Sequence, residues 1–256
     1  MKMKRVTGIG GVFFKAKNTD ALNNWYRDHL GFKTTEWGAT FIWNDADPSN
    51  TTLGSTTWSA FKDDSKYFHP SAEPFMFNYR VHNLRQLLDV LKTEGIEPVE
   101  AVQEFDYGKF GWIMDPEGRK IELWEPIDGN FGDTPEPWPG PVTGLGGAFF
   151  KSRDPKTIKE WYKKHLDIDM FFFWKDVTNP TADARTVWDV MEMDSEHFVP
   201  STKPYMFNYR VKDINSLLEK LKSAGIPASE NIEEHSFGKF GWAIDPEGNK
   251  MQLWEP

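Results

Sequence analysis

DYGKFGWIMDPEGRKIELWEP, residues 106–126, returns as SFGKFGWAIDPEGNKMQLWEP at residues 236–256. In each, two short apolar runs flank Asp-Pro-Glu-Gly, with proline second and glycine last. That order suits a type I turn and predicts a closing hairpin with strands near Phe110–Met114 and Lys120–Trp124. Recurrence at a fixed offset means that the chain is two copies of one unit. One charge differs between the endings: Glu122 in copy one is Gln252 in copy two.

Further upstream, VTGIGGVFFKAKNTDALNNWYRDHLGF (6–32) matches VTGLGGAFFKSRDPKTIKEWYKKHLDI (142–168). The offset is 136 here and 130 from Trp58/Trp188 onward, so copy two is six residues shorter between them. The reading places that gap around WGATFIWNDADPSNTTLG (37–54), where a strand end and a turn-rich loop change length at little cost. Between the copies, IDGNFGDTPEPWPGP (127–141) holds four prolines and three glycines and reads as a semi-stiff linker. The division is 1–126, a linker at 127–140, and 141–256, with each copy expected to fold on its own core.

Within copy one, Gly8 to Ala16 reads as a strand. Leu22, Trp25, Tyr26 and Leu30 then recur at helical spacing, as do Ile158, Trp161, Tyr162 and Leu166 in copy two behind an Asp154-Pro155 start. Strands follow near Thr35–Trp43 and Thr56–Phe61, and the pattern begins again at FMFNYRV (75–81). A second helix on Leu84, Leu87, Leu88 and Leu91 stops at Gly95. Its counterpart is capped by Asp213, carries Ile214, Leu217, Leu218 and Leu221, and stops at Gly225. The order implies an α+β fold of paired βαβββ modules, with open, cup-shaped sheets whose inner faces belong to alternate strand residues.

Composition narrows the function. Hydrophobic residues are 39% and charged residues 27% of the 256, which is a foldable globular balance. A net charge of -9 with no basic patch beyond the terminal MKMKR argues against nucleic acid and anionic lipid. No apolar run is long enough to span a bilayer, and no secretory leader is evident, so a cytoplasmic protein is expected. Without cysteine there is no thiolate nucleophile, disulfide or cysteine-held metal. Twelve tryptophans and twenty phenylalanines suit a stiff apolar cup. GIGG lacks the spacing of a phosphate cradle, and no H-E-x-x-H helix or serine nucleophile elbow is present.

GGVFFKA, WYRDHLGF, FNYRV and DPEGRKIELWE together resemble the vicinal oxygen chelate superfamily of glyoxalase, bleomycin-resistance and extradiol-dioxygenase domains. The resemblance covers residues 5–126 and 141–256, so it implies two complete glyoxalase-like domains forming an intrachain pseudo-dimer, with a further homo-oligomer left open. Metal-using relatives carry ligands on the first, fifth and eighth strands, often with an acidic one from the fourth. Those positions fall on Gly11 and Gly147, on Met76 and Met206, and on Glu122 and Gln252. On the fourth strand, Thr57 or Ser59 and Asp189 are the candidates, and a one-residue slip would reverse which side chain faces the cup. Glycine and methionine are poor partners for hard divalent ions, so no cofactor is expected, with a divalent metal as the alternative. Glu122 reads either as a solvent-facing strand charge or as a polar contact at the cup mouth.

The candidate ligand-binding residues follow from alternation in FMFNYRV and from the rings. In copy one they are Phe13, Trp58, Asn78, Arg80, Trp112, Glu122 and Trp124. In copy two they are Phe149, Trp188, Asn208, Arg210, Trp242, Gln252 and Trp254. Arg80 and Arg210 are expected near the rims, and His29 and His165 are expected to be structural. The expected partner is an apolar or aromatic small molecule bound without a metal. The alternatives are a metal-dependent lyase, isomerase or dioxygenase-like enzyme, and a structural or interaction protein with filled cups.

Overall fold

The computed structural model describes residues 4–46, 53–127, 140–177 and 179–256, with the side chains of residues 179–182 left aside. Most of the expected linker, residues 128–139, lies outside the described residues. Copy one runs β1 (Val6–Ala16), α1 (Thr19–Leu30), β2 (Ala39–Asp45), β3 (Leu53–Lys62), β4 (Phe75–Val81), α2 (Leu84–Thr93), β5 (Gln103–Phe105), β6 (Gly108–Met114) and β7 (Lys120–Pro126). Copy two repeats it as β8 (Val142–Ser152), α3 (Pro155–Leu166), β9 (Phe171–Asp176), β10 (Asn179–Glu192), β11 (Tyr205–Val211), α4 (Ile214–Ser223), β12 (Glu233–His235), β13 (Gly238–Ile244) and β14 (Lys250–Glu255). The α+β fold of paired modules is the one expected.

Local chemistry sets the helix ends. Asn18, Asn83, Asp154 and Asp213 each accept a backbone N–H of the first turn through the side chain. α1 ends at Gly31, whose φ of 71° is open to glycine without strain. In the closing hairpin, Asp115 Oδ1 accepts from the amides of Glu117 and Arg119 at 2.9 Å each. Gly118 takes φ 83° there, as the Asp-Pro-Glu-Gly turn requires.

The strands order as β5-β6-β7-β4-β1-β3-β2 in copy one and β9-β10-β8-β11-β14-β13-β12 in copy two. β2 pairs antiparallel with β9, so the two sheets are continuous. Parallel β1/β3 and β4/β7 pairs flank the antiparallel β1/β4 seam that joins the two modules of copy one.

The expectation of a separate core for each copy does not hold. The main apolar cluster takes Phe14, Trp58, Phe75 and Tyr79 from copy one together with Phe150, Trp188, Tyr205 and Tyr209 from copy two. These side chains lie on the sheet faces opposite the cups, and they meet in reciprocal pairs. Trp58 Nε1 donates to Tyr209 Oη at 2.8 Å, and Trp188 Nε1 donates to Tyr79 Oη at 2.7 Å. Rings pack around both bonds, with Phe14 5.6 Å from Phe207 and Phe77 5.6 Å from Phe150. The hairpin turns close the ends of this interface. Arg119 pairs with Asp115 at 3.0 Å and donates to the Lys151 carbonyl of copy two, while Glu117 accepts from Ser152 Oγ at 2.7 Å.

The length difference between the copies falls mainly at the start of the expected stretch and just before it. Phe41 and Phe172 hold equivalent places, opposite Thr56 and Thr186. Phe32 and Ile168 are likewise equivalent, each amide donating to the carbonyl of Tyr26 or Tyr162 in the preceding helix. Nine positions separate Phe32 from Phe41 and only four separate Ile168 from Phe172, so five of the six extra residues precede β2. They form a tight Thr35–Gly38 turn that carries Trp37, and β2 consequently begins at Ala39 and not Thr35.

Candidate functional site

Strand register puts five residues of copy one on a single rung across the sheet: Thr57, Gly11, Asn78, Glu122 and Trp112. Residues opposite one another in a sheet point to the same face, and this face is concave. Phe13 and Ser59 stand next along their strands, and an irregularity between Ile9 and Gly11 brings Gly10 to the same side. The open fourth-strand register is thereby resolved: Thr57 and Ser59 face the cup and Trp58 faces away.

The cup holds a cavity of about 580 Å³. Its lining is Gly10, Phe13, Trp37, Thr57, Ser59, Phe61, Tyr67, Asn78, Gln103, Phe105, Tyr107, Phe110, Trp112, Glu122 and Trp124. Ring faces dominate: Phe61 stacks on Tyr67 at 5.3 Å, Phe110 on Trp124 at 5.9 Å, and Phe105 on Tyr107 at 5.2 Å at the mouth. Trp37 stands 76% exposed at that mouth. Phe13 and Trp112 of the lining pack with Phe68 and Met76 in a small apolar cluster of their own.

Glu122 is neither a solvent-facing strand charge nor a rim contact: it is 1% exposed, at the base of the cup. Three donors converge on its carboxylate. Asn78 Nδ2 donates to Oε1 at 2.6 Å, Trp112 Nε1 donates to Oε2 at 2.8 Å, and the Tyr67 hydroxyl also donates to Oε2. Burial pushes the Glu122 carboxyl above the ordinary carboxylate range, opposed by those hydrogen bonds and by the charge of Lys120. Tyr67 is held as a phenol by burial and by the adjacent Glu122 charge. Lys120 Nζ is tied to Glu100 at 2.7 Å and to the Tyr67 carbonyl at 3.0 Å, behind the rings of Tyr67 and Trp112.

The sequence candidates of copy one thus divide. Phe13, Asn78, Trp112, Glu122 and Trp124 border one cavity. Trp58 does not: it is buried between the copies with its indole bonded to Tyr209, and Trp188 is its mirror against Tyr79. Arg80 is buried, its guanidinium lying over the rings of Trp43 and Trp124 at 5.4 and 5.1 Å. His165 bridges the copies through a 2.7 Å contact with Glu94, and His29 packs against Trp25 with the two rings tilted at 47°. Tyr67, Phe61, Phe110 and Trp37 also line the cavity, beyond the candidates that the sequence offers. Tyr67 lies in a loop that folds back over the cup, and the one sequence signal for it was a break in the repeat, where copy two has His197.

In copy two the matching rung reads Val187, Gly147, Asn208, Gln252 and Trp242. It has lost both the hydroxyl of Thr57 and the charge of Glu122, although Asn208 Nδ2 still donates to Gln252 Oε1 at 2.7 Å. Phe149 and Met206 pack with Phe198 beneath it. Arg210 pairs with Asp176 at 2.9 Å. Arg185, where copy one has Ser55, lies 5.8 Å from the centre of the Trp254 ring and 5.2 Å from that of Phe171.

Among the described residues, neither cup offers the donor set that the resemblance implies for a metal. Gly11 supplies no side chain, and even a Cβ there would come within 2.6 Å of Phe13 Cζ and 3.2 Å of Asn78 Cβ. Met76 belongs to the apolar cluster, and Glu122 is left as a lone carboxylate that already accepts from Asn78, Trp112 and Tyr67. In copy two Asp189 is paired with Lys159 at 2.6 Å. Among the described residues, no group of three His, Cys, Asp or Glu side chains is placed to hold a metal ion. Nor is any helix there long and apolar enough to cross a membrane.

No protein-family model matches the sequence, and no curated protein matches it. Solved structures do match in fold. The 2,3-dioxygenase LapB from Pseudomonas sp. KL28 aligns over 99% of this chain and 93% of its own, with a TM-score of 0.64 at 14% identity. The Mn(II)-bound glyoxalase from Novosphingobium aromaticivorans aligns over 99% of this chain and 83% of its own, with a TM-score of 0.65 at 15% identity. A catechol 2,3-dioxygenase covers 98% and 88%, at 0.62 and 15%. Duplicated modules, cup-shaped sheets and these full-length alignments together establish that the chain has the vicinal oxygen chelate fold in tandem duplication.

Proposed function

We propose that the protein binds an apolar or aromatic small molecule in the cup of copy one, through ring stacking and polar contacts at the base and without a metal ligand set. The supporting observation is the cavity of about 580 Å³, walled by stacked aromatic pairs and based on one buried carboxylate. Flat ring faces are already held in place by their partners, so a planar guest gains contact area with little ordering cost. Copy two serves in this reading as a scaffold: its rung carries Val187 and Gln252 in place of Thr57 and Glu122.

The test is isothermal titration with 2-naphthylmethanol. Thr57→Trp fills the copy-one cup and is expected to lower affinity at least ~10-fold, the order of contact loss expected when a guest loses its pocket. Val187→Trp, its match in copy two, should leave affinity unchanged. Loss of binding in the Val187 variant, with binding retained in the Thr57 variant, would put the site in the wrong copy.

A further inference from the structure

We propose, resting on the assignment of the ligand site to the copy-one cup, that the ligand is an aromatic organic cation whose protonated nitrogen is received by Glu122 and Asn78. Among the described residues, the lining of the cavity carries one formal charge, that of Glu122; the rest is rings, hydroxyls, amides and Gly10. Ring faces present negative potential and attract cations.

Hydrogen-bond bookkeeping at the base points the same way. A carboxylate oxygen accepts two hydrogen bonds. Oε2 of Glu122 has two, from Tyr67 and Trp112, whereas Oε1 has one, from Asn78 Nδ2. Beside it, Asn78 is 2% exposed and its Oδ1 is buried with no donor, lying against Gly10 at the cavity wall. Two neighbouring acceptors with spare capacity match an N–H-rich head, and an ammonium supplies three donors. An anionic head would meet Glu122, and among the described residues no cation lines the cavity to receive it. Lys120 is engaged by Glu100 behind the Tyr67 and Trp112 rings, and Arg80 lies behind Trp124, outside the lining.

Tyr67 is the cover. It is 38% exposed, and its hydroxyl occupies Oε2 of the carboxylate, which leaves Oε1 as the oxygen with spare capacity. Copy two keeps the unpartnered amide oxygen, at Asn208, but has lost the charge beside it: its rung carries Gln252 and Val187. One cation site per chain follows.

The experiment titrates the full chain with three matched probes: 2-naphthylmethylammonium, 2-naphthylmethanol and 2-naphthoate. Wild-type protein should bind the cation about tenfold more tightly than the alcohol, the scale of a cation over desolvated rings beside a carboxylate. The stoichiometry should be one. In Glu122→Gln that preference should vanish, the cation losing about tenfold relative to the alcohol. The Gln252–Asn208 pair shows that an amide is satisfied on this rung, and thermal unfolding of the variant checks its fold. Alcohol or naphthoate binding as tightly as the cation to wild-type protein overturns the proposal while leaving the cup reading intact. Failure of all three probes to bind overturns both.

Discussion

Asn78 donates its side-chain N–H to Glu122 at 2.6 Å, and copy two repeats the geometry with Asn208 and Gln252 at 2.7 Å. The scaffold of the rung survives duplication while the charge does not. Changing Glu to Gln preserves the acceptor and removes the carboxylate, which separates a structural role from a recognition role at a single atom pair.

The pH dependence of stability follows from Glu122. Burial raises its carboxyl in the fold above its value in the unfolded chain, so folding is coupled to proton uptake. That contribution is whole below the unfolded carboxyl range and is lost as pH rises through the folded value. Glu122→Gln removes the titration. The stability of the variant relative to wild type should therefore be more favourable at pH 8 than at pH 4.5, read from urea midpoints. An unchanged or reversed difference would mean that Glu122 is not buried as described.

Tyr209→Phe deletes the acceptor of the buried Trp58 indole. The orphaned N–H should cost about 1–3 kcal/mol in denaturant unfolding. Affinity of the cup for its ligand should not change, because Trp58 faces the inter-copy core.

At the hairpin turn, Arg119 and Asp115 form a buried ion pair, with side chains 5% and 0% exposed. Arg119→Ala leaves the Asp115 charge uncompensated and should destabilise by about 3–5 kcal/mol. Arg119→Asn should cost less, since copy two places Asn249 at this position with its Nδ2 2.7 Å from Asp245. Guanidinium chloride unfolding of the two variants gives the comparison directly.

Trp37 sits in the five-residue segment that copy two lacks, at the cavity mouth. Its exposure means little core is lost on truncation. Trp37→Ala should weaken ligand binding by about threefold or more, a stacking contribution near 1 kcal/mol, with thermal stability unchanged. A stability loss without an affinity change would make the residue a strut and not a wall.

The repeat made the fold legible: each ending predicted the same hairpin, and each opening the same strand and helix. The site was only half legible, for physical reasons. Strand parity is invisible until register is known, which is why Trp58 read as a wall when Thr57 and Ser59 face the cup. Alternation in FMFNYRV did put Asn78 on a face with Met76, and β4 pairs Asn78 with Glu122. Burial of Glu122 could not be read from β7 alone, because its cover, Tyr67, comes from a loop 55 residues earlier. Nor could a sequence containing Pro-rich residues 127–141 reveal that both copies share one core, which depends on bonds such as Trp58–Tyr209 across 151 positions.

Crystals grown with both 2-naphthylmethylammonium and Mn2+ would test the central claim most directly, with anomalous scattering locating the metal. The naphthyl ring should lie in the copy-one cup between its aromatic walls, with its nitrogen at Glu122. Manganese held at Glu122 by several protein side chains, with the cup otherwise empty, would contradict the account.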